Sequence, residues 1–152
     1  MSSIVFAEEI LSKGWTELLE VMKLHYEEVA HYKEFPVSPD YGRYNYMEDR
    51  DALRYYTVRD AGELVGYCVF IISPHLHFTD MLCAQQDFIF LKKEYRGKGL
   101  GKSFIKWCDD NLAQEDIDVV IHHMKAKPGL DFGPLLESMG YSLMDKIYTR
   151  KL

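Results

Sequence analysis

The sequence predicts a mixed α/β domain, and three observations carry that prediction. Residues 54–58 and 64–72 are β-branched, aromatic and apolar runs, and Asp60-Ala61-Gly62 between them supplies turn chemistry, so they read as an antiparallel hairpin. A further apolar run at 83–91 leads into a glycine-rich loop, and helical spacing then follows over 102–112. Another strand-like run at 118–124 completes a strand–helix–strand unit, which implies two parallel strands joined by a crossover helix.

The remaining elements follow in order. Residues 4–7 suit a short first strand. From 11 to 29 apolar residues recur at Trp15, Leu18, Leu19, Met22, Tyr26 and Val29, the three-and-four spacing of one helix face. Pro36 and Pro39 end that region, and residues 40–46 read as a short helix or an ordered loop rich in tyrosine. Pro74-His75-Leu76-His77 breaks the strand pattern. Asp131 is the expected N-cap of a short helix with Pro134 in its first turn, where N–H groups lack helical partners. Gly140 suits the left-handed position after that helix, and residues 141–150 alternate as a final strand would.

A chain of 152 residues is the size of one ordinary domain, and no repeat or long linker divides it, so one domain over 1–152 is expected. With 47% hydrophobic and 28% charged residues, the composition is that of a soluble globular protein. No apolar run reaches the roughly 18–20 residues that a membrane-spanning helix needs. The first residues carry no basic region, so no secretory leader and a cytoplasmic location are expected. A net charge of −6 argues against a nucleic-acid binder, whose surface would be basic, and is compatible with a cationic small molecule or basic peptide. Cys68, Cys83 and Cys108 each lie in an apolar stretch and read as buried reduced thiols.

The densest chemistry lies at Arg96-Gly97-Lys98-Gly99-Leu100-Gly101-Lys102-Ser103. Alternate glycines let the backbone turn sharply and approach a ligand without Cβ obstruction. The loop opens a helix, whose first N–H groups are unpaired and carry partial positive charge, so phosphate is the natural guest. Arg96, Lys98 and Lys102 add full charges. The spacing G-x-x-x-x-G-K-[ST] of a Walker A loop fails here, and G-x-G-x-G does not match the dinucleotide fingerprint G-x-G-x-x-G.

These residues, with Glu94 and Tyr95 before them, resemble motif A of the GNAT superfamily of N-acetyltransferases, [QR]-x-x-G-x-[GA], whose fixed positions Arg96, Gly99 and Gly101 fill. The resemblance extends upstream to residues 62–67, similar to the family's second and third strands, and downstream to residues 135–141, similar to its closing "LYEKLGF" segment. His123-Met124-Lys125 and residues 130–136 also resemble superfamily members of phage and prophage genomes.

The resemblance implies a mixed twisted sheet with a central splayed parallel strand pair and flanking helices. It implies acetyl-CoA as acetyl donor, with its pyrophosphate on backbone N–H groups from about Lys98 to Ser103. The pantetheine arm would pair with the strand edge at Ile89, Phe90 and Leu91, and an N–H near Leu91 would polarise the thioester carbonyl. Asp87 is the candidate base, placed by alternation on the same face as Gln85 and Ile89; a polar residue hydrogen-bonded to a neighbouring strand or loop is the equal alternative. The family's general-acid tyrosine corresponds to Leu136, so Tyr141, Tyr148, water or an unassisted thiolate must take its place.

His122 and His123 are adjacent on a strand and so face opposite ways. His75 and His77 bring no third ligand, and no metal is expected. Glu27, Glu28, His31, Tyr32, Glu34, Asp40, Tyr41, Tyr44 and Tyr46 are carboxylates and aromatics that suit a cationic acceptor, or equally a solvated helix face. The implied activity is acetyl transfer to a primary amine of a small molecule or basic peptide, by a monomer or homodimer. A silent acyl-CoA-binding module is the first alternative and a nucleotide-binding protein the second.

Overall fold

The computed structural model describes residues 3–152. Its centre is a five-stranded sheet in the order β1-β2-β3-β4-β5. Strands β1 (Ile4–Glu9), β2 (Leu53–Asp60), β3 (Glu63–His75) and β4 (Phe78–Leu91) pair antiparallel in succession, and β5 (Val119–Ile121) runs parallel to β4. The β2–β3 hairpin turns through Ala61 and Gly62, both at positive φ (47° and 88°), the geometry of a tight turn that follows the strand twist.

Strands β2 and β3 are buried on both faces because helices cover each side. On one face α3 (Leu100–Gln114) packs Phe104, Cys108 and Leu112 against Tyr56, Val58, Cys68 and Phe70. On the other, α1 (Trp15–Val29) sets Leu18 and Val21 over Tyr55, Tyr67, Val69 and Phe90. Filling a sheet from both sides explains why its strands read as continuous apolar runs rather than alternating ones.

The helix α2 (Tyr41–Asp49) takes in the tyrosine-rich residues 41–46, with the Asp40 carboxylate accepting the Arg43 N–H at 2.9 Å as its cap. Its Glu48 reaches the 3₁₀ turn Leu11–Lys13 and accepts the N–H groups of Leu11 and Ser12 at 2.6 and 3.1 Å. The buried positions of α1 are Leu18 and Val21, so the predicted Leu19 lies to one side of the stripe. Cys68, Cys83 and Cys108 are free and buried.

Four sequence expectations need correction. Pro74 does not end its strand: β3 continues to His75, accommodates the proline at a register irregularity, and turns through Leu76 and His77. The strand expected over 118–124 pairs only at Val119–Ile121. The short helix α4 (Gly133–Ser138) has Phe132 as N-cap, with Asp131 one residue earlier accepting the Gly133 N–H at 2.8 Å. Pro134 does sit in its first turn, and Gly140 (φ 96°) closes it, Gly140 and Tyr141 donating to the carbonyls of Glu137 and Leu136.

Residues 141–150 form no strand. Their apolar residues come as neighbours, Leu143 with Met144 and Ile147 with Tyr148, so either face of an extended chain would show both kinds of residue. All four are exposed. The segment instead crosses to the loop after α1, where the Thr149 and Tyr32 hydroxyls meet at 2.8 Å and Lys151 pairs with Glu34 at 2.7 Å.

Candidate active site

β4 is fourteen residues long, yet β5 pairs it only at Cys83, Ala84 and Gln85. Beyond that the two parallel strands part. At the fork Gln86 is buried, and its side-chain oxygen accepts the His123 backbone N–H (3.3 Å) while lying 2.8 Å from His122 Nδ1. An oxygen that already accepts one N–H calls for a second donor, so Nδ1 carries the His122 proton. The His123 ring lies instead 3.1 Å from the Gln85 amide, the opposite side expected of neighbouring residues. His122 packs against Phe70 and Tyr141, and burial lowers its pKa to about 4.

Past the fork, Lys92 donates its N–H to Val65 at 2.9 Å. Antiparallel alternation then points the backbone groups of Phe90 at β3 and those of Ile89 and Leu91 away from it, into the space that β5 has vacated. Ile89, Phe90 and Leu91 are thus adjacent, but only the first and third turn their backbone outward.

Asp87 lies where the β3–β4 register shifts: Val69 pairs with Phe88 and Phe70 with Gln86, leaving Asp87 unpaired as the extra residue of a bulge. The bulge resets the alternation. Phe88 and Phe90 pack on the α1 side and Ile89 on the α3 side. Asp87 is therefore not on the face of Ile89, as strict alternation had it. It turns toward α2, where its carboxylate accepts the Tyr44 hydroxyl. Desolvation, and then that hydrogen bond, push the Tyr44 pKa upward and keep the phenol protonated.

After β4 a 3₁₀ turn (Lys93–Tyr95) leads to the loop. Gly97 and Gly99 adopt φ of 79° and 82°, conformations that disfavour any side chain, and nothing lies within 4 Å of where a Cβ would stand at Gly97, Gly99 or Gly101. Gly99 is the N-cap of α3 and offers no side-chain cap. Ser103 donates its N–H to the Gly99 carbonyl at 3.1 Å, which leaves the N–H groups of Leu100, Gly101 and Lys102 without helical acceptors. Lys98, Lys102 and Ser103 are exposed around them.

Arg96 differs from the other cations. Its guanidinium donates to both carboxylate oxygens of Glu28 at 2.8 Å and to the Leu91 carbonyl at 2.7 Å. Beside it His25 stacks on Phe90 (4.8 Å, 21°), meets the Tyr67 hydroxyl at 2.8 Å, and has its pKa lowered to about 4 by burial. Neither Glu28 as the partner of Arg96 nor His25 as a site-lining residue was read from the sequence. The only available signal was their spacing, three residues apart on one helix face.

Most of the expected acceptor-side residues have other partners. Asp40 caps α2, Glu34 pairs with Lys151, and Tyr46 lies under the Arg50 guanidinium at 3.6 Å. Tyr44 alone of that group reaches Asp87, in an aromatic setting with Trp15 at 5.3 Å and Phe88 at 6.2 Å. Leu136 is buried, Tyr148 is exposed, and Tyr141 donates to Asp109 at 2.6 Å on the α3 side. His75 and His77 sit at the β3–β4 turn, and among the described residues no group of three or more His, Cys, Asp or Glu is placed to hold a metal. No helix among them is long and apolar enough to cross a membrane.

Shallow cavities open on the surface among the described residues. One, of about 530 Å³, adjoins the loop and is lined by Asp60, Tyr95, Lys98, Gly99, Leu100 and Ser103 among others. The second, about 570 Å³, lies at the start of β4 beside Asp80 and Asp118. It lies toward the opposite end of β4 from the loop.

The model of the acetyltransferase (GNAT) family matches residues 15–128, most of the chain. The chain belongs to this family. Solved structures agree on the GNAT fold. A ribosomal-protein-alanine N-acetyltransferase from Brucella melitensis biovar Abortus 2308 superposes with a TM-score of 0.71 at 19% identity, covering 98% of this chain and 99% of that one. A predicted acetyltransferase with acetyl-CoA from Clostridium acetobutylicum gives 0.72 at 9% identity, covering 97% and 96%. An aminoglycoside acetyltransferase from an uncultured soil metagenomic sample, in complex with sisomicin, gives 0.68 at 13% identity, covering 98% and 97%. No curated protein matches the chain in sequence. At such identities these structures share the fold of this GNAT protein; its acceptor does not follow from them.

Proposed function

We propose that this GNAT protein moves an acetyl group from acetyl-CoA to a primary amine by direct attack. The observation that carries the reading is the parting of β4 from β5 beside a helix whose first N–H groups are uncapped. The open N–H groups of Leu100, Gly101 and Lys102, with Lys98 and Lys102 beside them, suit the cofactor's pyrophosphate. The outward backbone groups of Ile89 suit the amides of its pantetheine arm, and the Leu91 N–H, its carbonyl held by Arg96, would stabilise the oxyanion.

The attacking amine must first lose a proton, because a free alkylamine with a pKa near 10.4 is charged at neutral pH. Asp87 takes that proton, directly or through water, while the Tyr44 hydroxyl holds one of its oxygens. The amine nitrogen then bonds to the carbonyl carbon, the C–S bond breaks, and the thiolate leaves. With Leu136 in the place of the family's tyrosine, the second proton, which the nitrogen sheds on becoming an amide, reaches the thiolate through water.

The acceptor is a small-molecule amine or a basic peptide. Soil-sample relatives of the same fold include aminoglycoside acetyltransferases, which makes aminoglycosides a first panel. The buried Leu136 also favours a second reading, a silent acyl-CoA-binding module. Calorimetry with coenzyme A, NAD and ATP tests the cofactor. Binding of NAD or ATP with no response to coenzyme A would overturn both readings. Thiol release over polyamines, aminoglycosides, amino acids and basic peptides then separates enzyme from module.

A further inference from the structure

Arg96 stands in the loop proposed to hold the pyrophosphate, yet its guanidinium points elsewhere. The two Glu28 oxygens take one N–H from each terminal nitrogen, and the Leu91 carbonyl takes Nε–H. The group also sits 5.3 Å above the Phe90 ring. The pair is largely sheltered, with the Glu28 side chain 15% and the Arg96 side chain 33% exposed. The hydrogen bonds from Arg96 are the main cause holding the Glu28 carboxyl below the usual carboxylate range.

Two elements meet at this contact. Glu28 belongs to the last turn of α1, the helix that covers the Asp87 side of the sheet. Arg96 belongs to the loop that starts α3. One turn before Glu28 on the same face, His25 stacks on Phe90 and contacts the Tyr67 hydroxyl. The end of β4 is therefore gripped from α1 at Phe90, through His25, and at Leu91, through Glu28 and Arg96.

We propose that Glu28 is a positioning residue for cofactor binding, acting through Arg96, and that Arg96 is a latch rather than a phosphate ligand. A bidentate guanidinium–carboxylate pair fixes direction as well as distance. Held that way, Arg96 keeps the Leu91 carbonyl occupied and sets the register between the outward edge of β4 and the N–H groups of the first turn of α3. Loosening α1 would misalign these two halves of the cofactor site together. This inference rests on the reading that acetyl-CoA occupies the loop.

The two roles of Arg96 predict opposite signs. If Arg96 were a phosphate ligand restrained by Glu28, then Glu28→Gln would release a full positive charge and tighten coenzyme A. As a latch, the same change weakens it. The test measures coenzyme A affinity by calorimetry for the wild type, Glu28→Gln and Glu28→Asp, with thermal unfolding on the same samples. Glu28→Asp keeps the charge but is one methylene too short to preserve both bonds, and it carries the test if Glu28→Gln does not fold.

Affinity is expected to fall at least fivefold in each folded variant, with the KM for acetyl-CoA rising in step and kcat changing less. A role confined to fold stability would move the unfolding temperature and leave KM in place. Unchanged or tighter binding, or a loss below fivefold, overturns the latch. Failure of the wild type itself to bind coenzyme A overturns the underlying reading instead, so the two failures are distinguishable.

Discussion

Lowering the pH from 7 to 5 offers protons that the unfolded chain accepts and the folded chain refuses at two histidines. His25 lies on the inner face of α1 against Phe90, and His122 lies at the fork of β4 and β5; burial lowers both from 6.5 to about 4. A group with a depressed folded pKa contributes stability that is whole above its unfolded value and is lost as pH falls toward the folded value. The window therefore runs from about 6.5 down to about 4. At pH 5 the linkage relation gives a loss of about 2 kcal/mol for each histidine and about 4 kcal/mol for both. Glu9 and Glu28, lowered by Arg59 and Arg96, act in the same direction but only below about 4.5. Glu8 and Asp109, raised by burial, oppose part of the change. The assay is urea denaturation at pH 7, 6 and 5 for the wild type and for His25→Gln/His122→Gln. The wild type should lose much of its stability across the range and the double variant most of that slope. A wild-type midpoint that stays fixed from pH 7 to 5, or an identical slope in the double variant, refutes the reasoning.

Three further outcomes are expected. Asp87→Asn should lower turnover about 100-fold or more in a thiol-release assay while leaving the coenzyme A affinity measured by calorimetry nearly intact, the magnitude typical of a lost proton acceptor. Gly99→Ala places a Cβ at a φ of 82°; thermal unfolding should show a loss of about 1–2 kcal/mol, and coenzyme A should bind more weakly. Tyr141→Phe removes the hydroxyl that donates to half-buried Asp109 and should cost about 1–3 kcal/mol in urea denaturation, with little change in the KM for acetyl-CoA.

The framework was legible because its signals are local. The Asp60-Ala61-Gly62 turn, the apolar spacing of α1 and the glycines before α3 each act over a few neighbouring residues, and all three elements are present. What eluded the sequence depends on partners far along the chain. That Arg96 faces Glu28, 68 residues earlier, leaves no mark on either segment. Pro74 looked like a strand breaker because its tolerance comes from an irregularity in pairing with β4. Residues 141–150 contain strand formers, but strand formation needs a one-sided apolar pattern and an edge to join, and β5 is only three residues long. The direction of Asp87 was misread for a related reason. Alternation assumes an unbroken ladder, and the break is set by the pairing with β3.

The unpaired residue at Asp87 acts on β4 as one inserted letter acts on a message read in pairs. Counted by residue number, even positions face α3 before it, at Leu82 and Ala84, and α1 after it, at Phe88 and Phe90, although each keeps the face of its β3 partner. Upstream, Ala84 belongs to the core under α3; downstream, Phe88 and Phe90 belong to the core under α1. Deleting Asp87 would remove the carboxylate and the bulge together. The cut would close Gln86 up to Phe88 in an unbroken ladder, with Gln86 still opposite Phe70 and Phe88 still opposite Val69, so both cores would keep their side chains and Ile89 and Leu91 would still turn their backbone to the fork. The extra residue is thus dispensable to the packing and serves to swing a carboxylate out of the ladder toward Tyr44.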